Sequence, residues 1–115
     1  MKYQGSCHCG RIAFEVEAEI DKVIECNCSI CQRRGTLLFF VPREQLRLST
    51  PEEDLSTYTF NKHAIKHHFC SVCGCAPFGE GKDKAGAAKA AVNARCLEGV
   101  DPSSFETMKV DGKSF

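Results

Sequence analysis

The 115-residue sequence predicts an all-β fold of short antiparallel strands, and three observations support this fold class. Apolar residues alternate or cluster in short segments, which is typical of strands. Turn-forming residues such as Pro, Gly, Asn and Asp separate these segments. No stretch sustains the helical apolar period of about 3.6 residues. The length allows one domain, so we expect residues 1–115 to form a single domain.

The predicted strands follow one another along the chain. In the segment 11–17, Ile12, Phe14 and Val16 share one face, which indicates a half-buried strand. The segment 36–41 is continuously apolar and predicts a central strand that Pro42 stops. Further short strands are expected at residues 46–48, 55–60, 65–69, 90–96 and 107–110. A single helical turn is expected near residues 43–45, and a mobile loop over residues 81–91.

Nine cysteines are the most unusual feature of the composition. Because the number is odd, a complete internal disulfide set is excluded, and C-x-C or C-x-x-C pairs would close only trivial loops. The same spacings let two sulfurs from one turn reach one metal ion, at about 2.3 Å for zinc. Clustered thiolates without a haem or nucleotide motif favour zinc first and iron second. The cysteines form three clusters and a singleton: Cys7 and Cys9; Cys26, Cys28 and Cys31; Cys70, Cys73 and Cys75; and Cys96.

Ligand counting suggests how these clusters divide between sites. A structural zinc takes four protein ligands, whereas a catalytic zinc typically keeps three and one open position. Spacing alone leaves other partitions open, because Cys75, Cys96 or a histidine can supply a fourth ligand to the central cluster. Gly10 and Gly74 each follow a cysteine pair and are expected in the left-handed conformation that ends such a turn. The simplest partition is a closed four-cysteine site of Cys7, Cys9, Cys70 and Cys73, and an open triplet of Cys26, Cys28 and Cys31.

Charge and hydropathy limit the partners. Lysine plus arginine equals aspartate plus glutamate at 15 each, which argues against a chain-wide surface for nucleic acid. The N-terminus lacks the apolar stretch of a signal peptide, and the longest apolar run, residues 37–41, is too short to cross a bilayer. We therefore expect a cytoplasmic protein with no membrane partner, in a reducing compartment where disulfides rarely persist.

Three motifs, taken in order, resemble those of the glutathione-dependent formaldehyde-activating (GFA) family, also known as the centromere protein V/GFA domain. They are G-S-C-H-C-G-R-I-A-F-E-V, C-N-C-S-I-C and F-C-S-V-C-G, and they span residues 5–74. The resemblance implies the zinc-stapled β-tent fold and a carbon–sulfur lyase that adds glutathione to formaldehyde to form S-hydroxymethylglutathione. The implied partners are therefore a small thiol such as glutathione and an aldehyde. Carried over by position, the resemblance implies two zinc ions per chain: a structural zinc on Cys7, Cys9, Cys70 and Cys73, and a catalytic zinc on Cys26, Cys28 and Cys31.

Departures from the family pattern keep two alternatives open. The enzymes tend to show C-H-C-x-x-C-R-R followed by G-A, whereas this chain has C-N-C-S-I-C-Q-R-R-G. The segment T-Y-T-F-N-K-H-A-I-K-H-H-F-C-S-V-C-G resembles the centromere protein V branch, known for chromosome and cytoskeletal association, so a non-catalytic zinc-binding module is one alternative. The other is a methionine-R-sulfoxide reductase-like enzyme with Cys96 as nucleophile, although those enzymes lack the central C-x-C-x-x-C.

Charged and titratable side chains near the triplet are further candidates. Arg33 and Arg34 follow the triplet and can meet the carboxylates of glutathione, or remain solvated. His63 and His67 are expected on one strand face with Ile65 and Phe69, near the open zinc. There they would act as a proton shuttle or fourth ligand, or would be ordinary strand histidines. His8 is expected to face solvent, and Cys75 and Cys96 to be small buried residues.

Overall fold

The computed structural model describes residues 1–112. This part of the chain folds into ten strands, one α-helix and several one-turn 3₁₀ helices. The helix α1 (Ser29–Arg34) lies between the third and fourth strands. The strands are β1 (Lys2–Ser6), β2 (Ala13–Glu17), β3 (Lys22–Cys26), β4 (Leu38–Pro42), β5 (Leu46–Leu48), β6 (Ser56–Tyr58), β7 (Lys66–Phe69), β8 (Phe78–Lys82), β9 (Ala88–Asn93) and β10 (Glu106–Val110).

The strands form two sheets. A three-stranded sheet has the order β1-β2-β5, and a seven-stranded sheet has the order β10-β3-β4-β9-β8-β7-β6. Among the described residues, all the strand pairings are antiparallel except that of β10 with β3, which is parallel. The predicted all-β fold class is therefore confirmed. Within residues 1–112 no helix is long and apolar enough to cross a membrane.

The hydrophobic core lies between the two sheets. The small sheet contributes Phe14 and Val16, both fully buried, and the large sheet contributes Phe78 and Val92 among others. The rings of Phe14 and Phe78 meet at 5.8 Å between centroids and are tilted by 58°. Such tilted aromatic contacts add to the free energy gained by burying apolar area. The small sheet is thus held to the large one by side chains that alternate along β2.

A chain of polar contacts ties the edge of the large sheet together. The buried His68 on β7 contacts Thr57 through Nδ1 at 2.9 Å and Glu80 through Nε2 at 2.5 Å. The other oxygen of Glu80 pairs with Nε of Arg43, and Arg43 Nη1 donates to the Leu46 carbonyl at 2.6 Å. Burial raises the pKa of Glu80, but His68 and Arg43 outweigh it and leave this pKa below its usual value.

Several predicted elements are confirmed by the structure. Ile12, Phe14 and Val16 are all fully buried on one face, although β2 begins two residues later than expected. The apolar run that ends near Pro42 is a central strand, since β4 lies between β3 and β9. The predicted turn at Arg43–Gln45 is a 3₁₀ helix.

Other expectations about the backbone were wrong. Residues 81–91 are not a loop, because β8 and β9 extend into this segment and pair as a hairpin. The connecting turn is closed by Asp83, whose side chain accepts the backbone N–H groups of Ala85 and Ala87 at 3.0 and 2.9 Å. The segment 90–96 is a strand only as far as Asn93, so Cys96 lies in the 3₁₀ turn Ala94–Cys96 that follows.

Candidate functional site

Two tight turns bring the four-cysteine site together. Cys7 and Cys9 lie just after β1, and Cys70 and Cys73 lie just after β7. Gly10 and Gly74 follow these pairs with φ of 85° and 82°, which confirms the predicted left-handed turns. In the second turn the Gly74 N–H donates to the Cys70 carbonyl at 2.8 Å. Each turn thus presents two sulfurs on the same side.

The distances in this site suit a metal ion rather than disulfides. All four sulfurs lie within 4.8 Å of one another. The Cys7–Cys9 and Cys9–Cys70 sulfur pairs are 3.7 and 3.6 Å apart. A disulfide needs about 2.05 Å, whereas a zinc ion with four sulfurs at about 2.3 Å requires tetrahedral edges of about 3.8 Å. The residues present therefore fit a four-coordinate zinc.

Backbone N–H groups donate to the sulfurs of Cys7 and Cys70 and lower the pKa of Cys73. Ile12 N–H donates to the Cys7 sulfur at 3.3 Å, and the N–H groups of Val72 and Cys73 donate to the Cys70 sulfur at 3.4 Å. The Cys75 and Cys9 backbone N–H groups lower the pKa of Cys73 to about 5. The Arg11 backbone N–H lowers the pKa of Cys9, but burial and the neighbouring sulfurs outweigh it and raise this pKa to about 11. Thiolates, not thiols, are the metal ligands, so the turns prepare part of the site before any ion binds.

The triplet is built locally at the end of one strand. Cys26 is the last residue of β3, Cys28 directly precedes α1, and Cys31 lies within the helix. The three sulfurs lie within 4.8 Å of one another, and all three residues are half-buried. Gly35 ends α1 with φ of 68°, and its N–H donates to the Cys31 carbonyl at 2.9 Å. This short helix is what turns the third sulfur toward the other two.

The sulfurs of the triplet differ in their surroundings. The Cys28 N–H donates to the Cys26 sulfur at 3.4 Å. Burial raises the pKa of Cys28, but hydrogen bonds, the backbone N–H of Cys31 foremost, outweigh it and leave the pKa lowered. Burial first, and then the neighbouring Cys28 and Cys26, raise the pKa of Cys31 to about 12. A bound cation would reverse these last effects, because it stabilises all three thiolates.

A cleft of about 590 Å³ opens beside the triplet, and Cys26 and Cys31 are part of its wall. This volume is in the range of small-molecule sites, about 300–1,000 Å³. Its lining carries two groups of each charge: Glu25, Asp111, Arg95 and Lys109. The guanidinium of Arg95 is oriented by its Nε, which donates to the Gly35 carbonyl at 3.2 Å. The cleft therefore offers a polar ligand partners of both signs next to the sulfurs.

The C-terminal part of the described chain closes one side of the triplet. Val110 on β10 pairs with Cys26, and the Asn27 side chain donates to Asp111 at 2.9 Å. A Cβ atom on Gly112 would lie only 2.3 Å from the Cys26 sulfur. A side chain at this position would force the chain or the Cys26 sulfur to shift, so glycine lets the chain pass close to the sulfur.

The predicted arginine and histidine neighbours lie elsewhere. Arg33 donates to the Ser29 carbonyl at 2.9 Å, and Arg34 lies 5.8 Å from the centroid of the Phe69 ring; neither lines the cleft. His63 was expected on a strand face, but β7 begins only at Lys66, and His63 lies in the preceding turn, hydrogen-bonded to Thr59 at 2.8 Å.

The remaining histidines and cysteines are also outside the two metal-ligand groups of the described chain. His67 stacks on Phe60 at 5.3 Å, and burial, with Arg34 and His68, lowers its pKa. His8 is exposed, as predicted, and Cys75 is half-buried against the four-cysteine site. Burial, followed by the charges of nearby cysteines, raises the pKa of Cys96 to about 11, so Cys96 is a thiol at neutral pH. This does not favour a nucleophilic role for it.

Residues around the cleft were not found from the sequence. Arg95 lines the cleft and Gly112 lies against Cys26, and both are brought to the triplet by the sheet order, which places β10, β3, β4 and β9 side by side. The D-G pair at Asp111 and Gly112 predicts a turn, but not that the turn touches a cysteine.

The chain is similar to one known protein family and to a solved structure. The model of the family described as glutathione-dependent formaldehyde-activating enzyme matches residues 2–109. The chain belongs to the GFA family. A crystal structure of a Rhodobacter sphaeroides protein is similar to this chain, with a TM-score of 0.79 and 32% identity. The match covers 94% of this chain and 100% of that one. GFA membership and the two cysteine groups are both compatible with zinc binding.

Proposed function

We propose that this chain is a zinc-dependent carbon–sulfur lyase that joins a small thiol such as glutathione to formaldehyde at the triplet. The four-cysteine site would hold a structural zinc, and the triplet a catalytic one. The observation that carries the proposal is the position of Cys26 and Cys31 in the wall of the charged cleft. A purely structural metal needs no such access, whereas a substrate must reach the open coordination position.

The charges of the cleft support a thiol of the glutathione type. Glutathione carries two carboxylates and one ammonium group at neutral pH. Arg95 and Lys109 can pair with carboxylates, and Glu25 can pair with the ammonium group. Arg95 Nε donates to the Gly35 carbonyl, which restricts the directions in which its terminal nitrogens can point. These pairs would orient the thiol sulfur toward the triplet and keep it there, which supplies proximity to the aldehyde.

The proposed reaction is an addition that needs no further reactant. The thiol sulfur forms a bond to the aldehyde carbon, the carbon–oxygen double bond becomes single, and the thiol proton is transferred to that oxygen. A zinc ion on the triplet would hold the thiol in its thiolate form and polarise the aldehyde oxygen. The chain's own contribution is to bind the peptide part of the thiol through charged groups on β3, β10 and the 3₁₀ turn after β9.

Exchange spectroscopy tests the proposed reaction. Glutathione and ¹³C-labelled formaldehyde form the adduct reversibly without enzyme, so the rate of exchange between free and bound carbon is measured by NMR with and without protein. Zinc-loaded wild type is expected to accelerate the exchange, and Cys28→Ser to leave it at the buffer rate. Cys96→Ser is the matched control, because it removes a half-buried thiol outside both clusters.

Each alternative predicts a different result. A non-catalytic zinc-binding module would bind two zinc ions and leave the exchange rate unchanged. An enzyme of the methionine sulfoxide reductase type would also leave the exchange rate unchanged; in a separate assay with methionine sulfoxide and a thiol reductant, its activity would be lost in Cys96→Ser and kept in Cys28→Ser. Absence of acceleration by wild type carrying two zinc ions would disprove the lyase proposal.

A further inference from the structure

The hydroxyl of Thr36 is a buried polar group without a partner. Thr36 follows the last residue of the α1 cap, Gly35, and only 9% of its surface is exposed. Among the buried side-chain oxygen and nitrogen atoms of the described residues, its Oγ1 is the one that makes no hydrogen bond. Buried hydroxyls are almost always paired, since an unpaired one loses its bonds to water. Such an atom therefore needs an explanation.

The backbone on both sides of Thr36 is held in place. The Gly35 carbonyl accepts from Arg95 Nε at 3.2 Å. The Leu37 N–H donates to Asn93 Oδ1 at 3.3 Å, and the Leu37 carbonyl accepts the Ala94 N–H at 2.7 Å. The hydroxyl can rotate but cannot move away to water. Its hydrogen-bond acceptor must therefore be a neighbouring group, either as that group stands or after it becomes charged.

The neighbour that can supply this acceptor is Cys31. Thr36 and Cys31 line the same cleft, on the two sides of the Gly35 cap of α1. A neutral thiol is a weak acceptor, whereas a thiolate carries a full charge and accepts strongly. The Thr36 hydroxyl, which has no partner beside a neutral thiol, would gain one when the Cys31 sulfur binds a metal ion.

One sulfur of the triplet already has a backbone donor, because the Cys26 sulfur accepts the Cys28 N–H at 3.4 Å. The Thr36 hydroxyl is a donor in the wall of the same cleft and would supply a second one, to the Cys31 sulfur.

We infer that Thr36 is a positioning residue of the triplet, whose hydroxyl donates to the Cys31 sulfur when that sulfur binds a metal ion. This inference rests on the proposed function in one respect, namely that the triplet holds a metal. The hydrogen bond fixes the rotamer of Cys31 and withdraws charge from its sulfur. Both effects change how tightly the triplet holds its ion and how strongly the sulfur donates to it.

Three variants of the full chain test this role. Thr36→Val keeps the shape of the side chain and removes the hydroxyl, and Thr36→Ser restores the hydroxyl without the methyl group. Thr107→Val is the matched control, because Thr107 is an exposed threonine on β10. Zinc-loaded proteins are titrated with a zinc-binding dye, which separates release from the triplet and from the four-cysteine site. Cobalt-loaded proteins report the sulfur-to-metal charge-transfer band.

The expected results separate a positioning role from a structural one. Thr36→Val should release the triplet zinc about tenfold more readily, the effect typical of losing an outer partner of a ligand. Its charge-transfer band should move to lower energy, because a sulfur without the hydrogen bond is a better donor. Thr36→Ser should restore both properties. The thermal stability of Thr36→Val without metal in the triplet should not fall, since no hydrogen bond is lost.

Three outcomes would overturn the inference. Equal zinc release and an unchanged band in Thr36→Val would remove Thr36 from the site and leave the lyase proposal standing. A loss of stability in Thr36→Val with unchanged metal affinity would assign Thr36 to the core. Binding of a single metal by wild type would overturn both the inference and the catalytic zinc of the proposed function.

Discussion

The two cysteine clusters offer the same ligand chemistry in different surroundings. The four-cysteine site joins residues that are more than sixty positions apart, since Cys9 and Cys70 are separated by 61 positions. Cys7 and Cys70 are buried, at 2% and 0% exposure. The triplet lies within a single strand-to-helix connection, is half-buried throughout and borders a cleft. A metal at the first site would restrain the whole chain, whereas one at the second would restrain a few residues and remain accessible.

The donors around the sulfurs also differ between the two clusters. In the four-cysteine site, backbone N–H groups of the two turns donate to the sulfurs of Cys7 and Cys70. In the triplet, the Cys28 N–H donates to the Cys26 sulfur, and the unpaired hydroxyl of Thr36 lies in the same cleft wall as Cys31. The comparison indicates that backbone groups supply more of the donors in the four-cysteine site, whereas the surroundings of the triplet depend more on side chains, which can be tuned.

Removal of a ligand from the four-cysteine site should have the largest effect. A structural zinc can contribute about 10–16 kcal/mol of apparent binding energy, more than the usual net stability of a domain, about 5–15 kcal/mol. We expect Cys70→Ser, or a strong chelator acting on wild type, to abolish the far-UV circular dichroism of the folded chain. Cys28→Ser is the control and should stay folded. A native spectrum after full metal removal would show that the site is not essential for folding.

The same change in the triplet should affect chemistry and spare the fold. Cys28→Ser is expected to bind one zinc ion instead of two by native mass spectrometry, and to reduce adduct exchange to the uncatalysed rate. Its unfolding midpoint in urea should stay close to that of wild type, because the triplet closes only a short loop. If Cys28→Ser unfolds like Cys70→Ser, the two clusters do not divide stability and chemistry between them.

How far the sequence predicts these sites depends on how local they are. Each cysteine pair and the triplet are contiguous, so their spacing and the glycines after them indicate metal ligands before any fold is known. The alternating strand with Ile12, Phe14 and Val16 is equally local. In contrast, β8 has the sequence F-G-E-G-K, which has little strand preference of its own. It is a strand because β7 and β9 pair with it on both sides.

The surroundings of the triplet could not be predicted for the same reason. Helix α1 has six residues and no buried side chain, so it shows no apolar periodicity. Arg95 and Gly112 reach the triplet only through the order of strands in the large sheet. That order depends on long-range pairing, and the parallel pairing of β10 with β3 in particular leaves no local mark in the sequence.

A smaller change disturbs the geometry of the triplet while leaving its three cysteines in place. Gly112→Ala would place a methyl group 2.3 Å from the Cys26 sulfur, so the chain or the sulfur must shift. We expect the triplet to release zinc on the order of tenfold more readily, with the four-cysteine site unchanged in the same dye titration. Gly81→Ala is the control, because its new methyl would have ordinary contact with Ile65 at 3.6 Å. Equal zinc release in both variants would mean that residue 112 does not support the site.

The smallest expected effect concerns the polar chain that supports β7, the strand leading into Cys70. Glu80 has a lowered pKa in the folded chain, through His68 and Arg43 and against the effect of burial. Its contribution to stability is therefore fully present above the ordinary glutamate pKa of 4.5 and is lost as the pH falls through the lower, folded value. We expect Glu80→Gln to cost about 1–2 kcal/mol at pH 7, since a partly exposed carboxylate is screened by solvent.

The pH dependence of that cost distinguishes Glu80 from the clusters. In urea unfolding, the gap between wild type and Glu80→Gln should stay constant from pH 8 to about pH 6 and narrow below the ordinary glutamate pKa. Acid also protonates the cysteine ligands, but this happens in both proteins and cancels in the difference. Glu44→Gln, at an exposed position, should show no gap at any pH. A gap that persists unchanged at pH 4 would mean that Glu80 stabilises β7 by its shape and hydrogen bonds and not by its charge.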